Sequence, residues 1–529
     1  MAAALAQDTA EIAKVDAGGP KPQATGRSPA IANVRVLENT ITLSASVAAI
    51  GLALGTLLAV LITRTDLPGR QAAFAVLVFL LFLPLYVQVA GWEAAFGKLG
   101  WLTSIVGAPL LAGMPAVIFI HAMAAVPWVA IIVSIGLMLV RHEEEEVALL
   151  ETSGPRVVTR IVLPQLAPFL AAAALLAAIS AAGEMTVTNI YLIEPGDYTL
   201  AEQAFMTLQS EPLPQAVWQL LPSMLATALL VAGGILAVRL LAPLAGRQTE
   251  DQRAPLTYRL GPWKLPSAAL VWLLLGTLAV LPLASMTYKA GTDVALLDDT
   301  PVRTWSAAKC FWLPWTALWS MGSDLGWTVI IAAAAATLDV IVAIPLAEAS
   351  RRGIWKTWPV LVAAAVAWAV PGPIVGLAIA SLLNHDLPLF AWIYDRTVLP
   401  AIMAQAIRAA PIVLLTICQA VERFPTAPIE AAQLDGAGRW TILLRVVLPL
   451  RKAALVAAWL AGFAIAAGDL AWSNFVMCPG VDTLQRRMFG DIHAGADDRV
   501  AAVCLAVSAL YFAAALLLLA ACRTMLRRE

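Results

Sequence analysis

The chain has 529 residues, of which 60% are hydrophobic and 13% are charged, and its mean hydropathy is +0.81. This composition excludes an ordinary soluble enzyme, in which about a quarter of the residues carry charge. The net charge of −1 provides no basic surface for nucleic acid. Five cysteines are too sparse, and odd in number, for a secreted disulfide framework. We therefore predict an all-α polytopic membrane protein.

The first 36 residues are polar and are predicted to form a flexible tail. The rest of the chain contains apolar stretches of the length that a bilayer requires, which is about 20 residues. We expect eleven transmembrane helices, with twelve as the alternative count. The predicted spans are 40–62, 72–91, 114–139, 165–182, 218–241, 266–287, 325–347, 358–381, 398–421, 453–470 and 499–522.

Lys and Arg are distributed unevenly between alternate loops. If the loop at 140–164 lies inside, the cytoplasmic loops carry the larger share of these residues. Because cytoplasmic loops hold an excess of Lys and Arg, the C-terminus is predicted to be cytoplasmic. Eleven spans then place the N-terminus outside.

The second half of the chain repeats landmarks of the first half, in the same order and at a nearly constant offset. This repetition predicts two copies of one unit in parallel topology, related by a pseudo-two-fold axis along the membrane normal. We expect a first repeat with five spans at 37–245, and a linker with a second repeat of six spans at 246–529. The paired landmarks are Thr40 and Thr328, Pro84 and Pro371, Pro127 and Pro411, Leu163-Pro164 and Leu448-Pro449, Glu184 and Asp469, Asn189 and Asn474, and Thr199-Leu200 and Thr483-Leu484. The four prolines inside spans are expected to kink their helices.

The loop at 430–449 carries the most specific motif. It begins with Glu430-Ala431-Ala432, which predicts a short helix with a small face, and continues to Gly436, which can bend the chain because glycine reaches positive φ cheaply. It ends with Val446-Val447-Leu448-Pro449, just before a span.

The loop at 143–164 is a degenerate copy at the equivalent place in the first half. Glu146 and Ala148 correspond to the start of the motif, and Leu163-Pro164 to its end. Thr152 replaces the bending glycine, and Gly154 is expected to take over the bend.

The loop at 430–449 resembles the E-A-A-x-x-x-G-x9-I-x-L-P motif of ATP-binding-cassette (ABC) importer permeases, with Val446 in place of Ile. From about residue 37 onward the chain resembles a fused two-copy permease of a type I ABC importer, and the ferric-iron and thiamine permeases most of all. The resemblance implies a multi-pass protein of the bacterial inner membrane that imports a small solute by alternating access. It also implies an ABC ATPase homodimer docked on both loops and an external solute-binding protein, besides membrane lipid. Ferric iron is the favoured substrate; thiamine, sulfate or molybdate, phosphonate and polyamine are the alternatives.

The sequence contains no phosphate-binding loop of the G-x-x-x-x-G-K-[ST] type. ATP and Mg are therefore expected on a partner ATPase, with no cofactor in this chain. The four histidines show no metal-ligand spacing, and no catalytic cluster is present, so we expect a transport subunit and not an enzyme. An ion-coupled secondary transporter is the alternative from another class, followed by an intramembrane enzyme.

Ionisable side chains inside a span cost a few kcal/mol and therefore mark candidates for the translocation path or its gate. Arg408 lies mid-span and either lines the path or forms a structural pair with the mid-span Asp339. Two further carboxylates close their spans at equivalent positions, each with an asparagine five residues on. They either form a gate or tie down the next loop. These pairs are Glu184 with Asn189, and Asp469 with Asn474.

Overall fold

The computed structural model describes residues 29–98, 100–140, 142–192, 197–241, 256–297, 300–350, 354–383, 387–422, 424–493 and 497–526. Residues 1–28 of the predicted tail and residues 242–255 of the predicted linker lie outside the described residues. The first helix already begins at Pro29, inside the stretch expected to be a tail.

The described part of the chain is almost entirely helical. Its first half contains α1 (Pro29–Arg64), α2 (Arg70–Phe82), α3 (Leu85–Phe96), α4 (Trp101–Val106), α5 (Gly113–Met138), α6 (His142–Glu151), α7 (Gly154–Val157), α8 (Leu163–Gln165), α9 (Ala167–Ala182), α10 (Thr186–Leu192), α11 (Leu200–Ser210) and α12 (Leu213–Leu241).

The second half continues with α13 (Lys264–Leu275), α14 (Leu281–Gly291), α15 (Ala307–Ser320), α16 (Gly322–Ser350), α17 (Ile354–Ala369), α18 (Gly372–Leu383), α19 (Pro388–Arg396), α20 (Leu399–Glu422), α21 (Thr426–Leu434), α22 (Arg439–Ile442), α23 (Leu448–Leu450), α24 (Lys452–Gly468), α25 (Leu484–His493) and α26 (Asp497–Leu526). Shorter elements are a 3₁₀ turn (Gly261–Trp263) and three π-helical turns (Val158–Val162, Gly276–Val280 and Leu443–Val447). An antiparallel hairpin that the sequence analysis did not predict pairs β1 (Thr292–Leu297) with β2 (Thr300–Trp305).

The number of apolar spans agrees with the prediction. Within the described residues, seven helices are long and apolar enough to cross a membrane, and four sharply bent helix pairs raise the count to eleven if each pair is one span. The all-α polytopic fold is therefore confirmed.

Two of the predicted spans, 72–91 and 358–381, bend sharply, and the kinks predicted at their prolines are confirmed. The α2–α3 segment bends by 102° and the α17–α18 segment by 99°. The breaks fall at Pro84 and Pro371. Leu83, just before the first of these prolines, is extended with ψ of 113°, because a following proline disfavours the helical conformation. Pro127 and Pro411, in contrast, lie inside α5 and α20, which continue without a break.

Both halves use the same packing scheme. In the first half α1, α5 and α9 pack on one another, and in the second half α16, α20 and α24 do so. The last span of each half packs on the broken span of the other half: α12 contacts α17 and α18, and α26 contacts α2 and α3. The two halves are thus intertwined.

One side-chain contact is repeated in detail. Thr40 accepts a hydrogen bond from the Leu200 backbone N–H at 2.9 Å, and Thr328 accepts one from the Leu484 N–H, also at 2.9 Å. Each threonine donates in turn to a carbonyl four residues earlier in its own helix. The same long-range contact therefore joins α1 to the start of α11 and α16 to the start of α25.

Candidate functional site

The loop at 430–449 begins with the short amphipathic helix α21. Ile429 is buried and Ala432 packs on the same apolar cluster, which attaches one face to the body of the protein. Glu430 and Ala431 are exposed on the other side, and Leu434 is 89% exposed. The outer face of α21 is therefore accessible for contact with another protein.

Gly436 ends α21 as predicted, by adopting a left-handed conformation with φ of +78°. Its N–H bonds to the Gln433 carbonyl, and the Ala437 N–H bonds to the Ala432 carbonyl, both at 3.0 Å. These two bonds form a Schellman motif, in which the left-handed position is usually glycine. A β-carbon at Gly436 would meet nothing within 4 Å, so the backbone conformation, and not lack of space, requires glycine here.

The chain then enters an elbow before the next span. The π-helical turn Leu443–Val447 leads into α23, which contains Leu448 and Pro449, and the axis bends by 78° before α24. Pro449 thus starts the last turn of the elbow, whereas the span itself begins at Lys452.

The loop at 143–164 repeats this elbow with a different turn. Glu146 is exposed and Ala148 packs on the body, as at the corresponding positions of the other loop. A π-helical turn leads into α8, which contains Leu163 and Pro164, and the axis bends by 68° before α9.

The expectation that Gly154 makes the bend is wrong. The glycines with positive φ do not include Gly154, which instead begins α7 and is followed by Pro155 at the first helical turn. Ser153 makes the turn with an extended conformation, φ −74° and ψ 149°. A β-carbon at Gly154 would lie 3.1 Å from the Tyr258 ring, so close packing is the property that this glycine provides.

A buried ion pair that the sequence analysis missed holds the first loop in place. Arg64, at the end of α1, forms two hydrogen bonds to Glu145 of α6, at 3.0 and 3.1 Å, and both residues are at most 1% exposed. Arg64 also donates to the Leu137 carbonyl at 2.6 Å. By the correspondence of Glu146 with Glu430, the counterpart of Glu145 is the apolar Ile429, so the two loops are anchored by different interactions.

The segment that follows the linker lies against this ion pair. The Tyr258 hydroxyl donates to Glu145 Oε2 at 3.2 Å, and the Tyr258 N–H donates to the Arg64 carbonyl at 2.7 Å. Burial and the Glu145 carboxylate raise the pKa of Tyr258 to about 12. Asp66 accepts hydrogen bonds from the Leu260 N–H and from Lys264, and these bonds lower the pKa of its carboxyl group.

A second polar cluster lies where the halves meet. Asp469 Oδ1 lies 3.7 Å from Arg408 Nε, and Glu184 Oε2 lies 3.5 Å from His121 Nε2. Both carboxylates also cap the chain that follows them: Glu184 accepts from the Thr186 and Val187 N–H groups, and Asp469 accepts from the N–H of residue 472. The alternative in which these acids tie down the next loop therefore has a structural counterpart, whereas the gate stays a prediction.

The remaining predicted polar residues are placed differently. Among the described residues, the carboxylate beside Arg408 is Asp469, so the predicted pair of Arg408 with Asp339 does not form. Asp339 is 6% exposed, and its Oδ2 accepts no hydrogen bond from any residue that the structure describes. Asn189 donates to the buried Glu202 at 2.8 Å, which fixes the loop after α10, whereas Asn474 is half-buried.

In the described part of the chain, no group of three or more His, Cys, Asp or Glu side chains is arranged to hold a metal ion.

Comparison with known proteins relates this architecture to membrane transport. Residues 339–528 match the family described as "Binding-protein-dependent transport system inner membrane component". The putrescine transport system permease protein PotI of Escherichia coli is 26% identical over 204 residues, which cover 36% of this chain and 72% of that protein. The spermidine/putrescine transport system permease protein PotC is 30% identical over 93 residues in E. coli (18% of this chain, 35% of that protein). PotC of Haemophilus influenzae is 32% identical over 102 residues, which cover 19% of this chain and 40% of that protein.

Proposed function

We propose that this chain, whose residues 339–528 match the family of binding-protein-dependent transport system inner membrane components, supplies both halves of the pore of an ABC importer. It is a multi-pass inner-membrane permease subunit and carries transport, not enzymatic, function. The proposal that both halves are permease repeats is supported by the matching breaks at Pro84 and Pro371 and by the shared contacts of Thr40 and Thr328.

The two elbows carry this proposal. Each consists of a surface helix, a turn, a π-helical turn and a sharp bend that leads directly into a span, at equivalent places in the two halves. An ATPase subunit that holds α6 or α21 would apply its motion to α9 or α24, because little flexible chain lies between them. We propose that a separate ABC ATPase homodimer, which binds ATP and Mg, docks on both elbows and rocks the halves by rigid-body movement.

For the substrate we propose an amine of the polyamine class, delivered from outside by a solute-binding protein. The names of the relatives concern putrescine and spermidine, and the interface presents Glu184 and Asp469, whose charge suits an ammonium group. The preference for ferric iron has no support in these names.

Uptake of radiolabelled spermidine and putrescine, in cells with the gene intact, deleted or restored, tests this function. We expect deletion to abolish the uptake that this system contributes and the restored gene to return it. Excess unlabelled polyamine should compete, whereas ferric iron and thiamine should not. If ferric iron or thiamine competes and unlabelled polyamine does not, the substrate is that competitor and the polyamine proposal is wrong.

The same cells separate an ABC importer from an ion-coupled transporter. Depleting ATP while an ion gradient is maintained should stop uptake, and collapsing the gradient while ATP is maintained should spare it. Uptake that follows the gradient and ignores ATP would refute the ATPase-driven mechanism.

A further inference from the structure

Arg408 is held at the interface without a tight hydrogen bond. Its side chain is about nine-tenths buried, yet its Nε has no hydrogen-bond partner among the described residues, and the nearest oxygen of Asp469 is 3.7 Å away. This distance is longer than the 2.7–3.2 Å of an ordinary N–H···O hydrogen bond. The guanidinium also lies over the Trp472 ring, with 5.9 Å between Cζ and the ring centroid. It therefore neutralises the carboxylate without being locked to it.

The same guanidinium reaches across to the other half of the protein. A β-carbon built on Gly183 would lie 3.4 Å from Arg408 Nη1, and Gly183 directly precedes Glu184. Arg408 thus lies between Asp469 of its own half and the chain segment that carries the equivalent carboxylate of the first half. Any movement that separates the halves here breaks this contact.

The carboxylates are symmetric between the halves, but the cation is not. Pro127 and Pro411 correspond, so Ala124 is the counterpart of Arg408. The same correspondence pairs His121 with Gln405. His121 lies beside Glu184, and Gln405 donates a hydrogen bond to the backbone carbonyl of Asp469 at 3.2 Å. Arg408 therefore has no arginine counterpart in the first half.

The electrostatics favour a replaceable cation. The side chains of Glu184 and Asp469 are 18% and 11% exposed, so each has lost most of its hydration and needs a positive partner. A primary ammonium group has three donors on a compact charge and can satisfy a carboxylate in place of a guanidinium.

We propose that Arg408 is a tethered counter-cation beside Asp469 at the interface, and that the ammonium group of a transported amine replaces it there. This inference rests on the proposed function and names its binding site. In the absence of substrate, Arg408 fills the space between Asp469 and the segment that carries Glu184. When the amine arrives, the guanidinium moves aside and the carboxylates bind the substrate.

Direct binding of radiolabelled spermidine to the purified full-length chain in nanodiscs tests the proposal. Arg408→Gln should tighten the apparent Kd about tenfold, because a competing internal cation no longer reduces the fraction of open sites. Adding Asp469→Asn to that variant should return the affinity to the wild-type value or weaker. Magnesium in place of spermidine is the control for nonspecific cation binding. Its apparent Kd should not tighten in Arg408→Gln or return when Asp469→Asn is added.

Unchanged or weaker spermidine binding by folded Arg408→Gln overturns the proposal. If that variant does not fold, Arg408→Ala, which copies Ala124 of the first half, provides the test. It also removes the competing cation and should tighten binding about tenfold; unchanged or weaker binding again overturns the proposal. Uptake in cells distinguishes this failure from failure of the proposed function. Normal polyamine uptake with no tightening refutes only the role of Arg408, whereas absence of polyamine uptake refutes the function itself.

Discussion

Replacing Glu145 with Gln should loosen the first elbow selectively. The substitution keeps the size of the side chain but removes the charge that balances Arg64, and both residues are at most 1% exposed. The guanidinium would then keep its bond to the Leu137 carbonyl but lose its carboxylate. Removing one partner of a buried ion pair leaves an uncompensated charge, which costs about 3–5 kcal/mol.

The second elbow indicates how this cost can be avoided. Because Ile429 fills the position equivalent to Glu145, the double variant Arg64→Met with Glu145→Ile replaces the ion pair by apolar contacts of similar size. Substitutions of this kind are often neutral or stabilising. We expect the double variant to be within about 1 kcal/mol of wild type, far from the sum of the two single changes, since the residues are directly coupled. Tyr258 is only half-buried, so water can bond its hydroxyl in this variant.

Hydrogen exchange on the full-length chain in nanodiscs, followed by peptide, measures the effect at each elbow. Glu145→Gln should lower the amide protection factors of α6 at least a hundredfold. This follows from the cost of about 3–5 kcal/mol, because each 1.4 kcal/mol corresponds to a factor of ten. The exchange of α21 should not change. In the double variant, protection of α6 should return close to wild type.

Two results would refute this reasoning. Protection of α6 that is unchanged in Glu145→Gln would mean that the ion pair does not hold the loop. Equal loss of protection at α6 and α21 would mean that the substitution destabilises the whole protein, so the separate anchoring of the elbows would be wrong.

Three further predictions concern the elbows. Gly436→Pro should abolish uptake while the protein stays at normal abundance in the membrane, because proline fixes φ near −65° and this position needs +78°. Gly154→Ala should retain most uptake, because Gly154 does not have a positive φ. Equal losses of uptake in the two variants would contradict the difference between the turns. Glu430→Arg should abolish uptake and Glu146→Arg should reduce it less, with abundance checked by immunoblot; wild-type uptake by Glu430→Arg would exclude a coupling role. Since the pKa of Tyr258 is raised to about 12 from its usual 10.0, its neutral form stabilises the first elbow fully below pH 10, and this stability is lost as the pH rises toward 12. Tyr258→Phe should therefore remove the part of the loss of α6 protection at high pH that is due to Tyr258. The measurement is hydrogen exchange of α6, corrected for the intrinsic pH dependence of amide exchange. The same loss of protection at high pH in wild type and variant would show that another group titrates.

The sequence was sufficient to predict the features that depend on local chemistry. Continuous apolar stretches of bilayer length predicted the spans, because a membrane helix satisfies its own backbone hydrogen bonds and needs only apolar side chains around it. Gly436 was predictable as the bend for the same kind of reason, since few other residues adopt a left-handed conformation cheaply.

The same kind of signal failed where tertiary packing decides. Pro84 and Pro127 both lie inside apolar stretches, yet the first breaks its helix and the second does not. A proline inside a helix loses one hydrogen bond, and its neighbours decide whether the helix tolerates that loss or breaks. Nothing in the local sequence distinguishes the two cases.

Partner choice between charged residues was also beyond the sequence. Arg408 could pair with any carboxylate on an adjacent helix, and only the packing of α20 against α24 shows that Asp469 is the nearest. Arg64 follows the predicted span 40–62, and nothing in the local sequence marks it as buried. Its burial depends on α6 folding back over the end of α1, which brings Glu145 to it from 81 positions along the chain.

The intertwined packing limits how the proposed pore can move. Because α12 packs on α17 and α18, and α26 on α2 and α3, wide separation of the halves would break the van der Waals packing of both last spans. Rocking about the pseudo-two-fold axis keeps these contacts and concentrates the change where the halves meet through polar groups. The contact of Arg408 with the segment before Glu184 is such a place, and it has little packing energy to lose. An ATPase pair that moves the elbows would therefore open the chain first at the interface that carries the carboxylates.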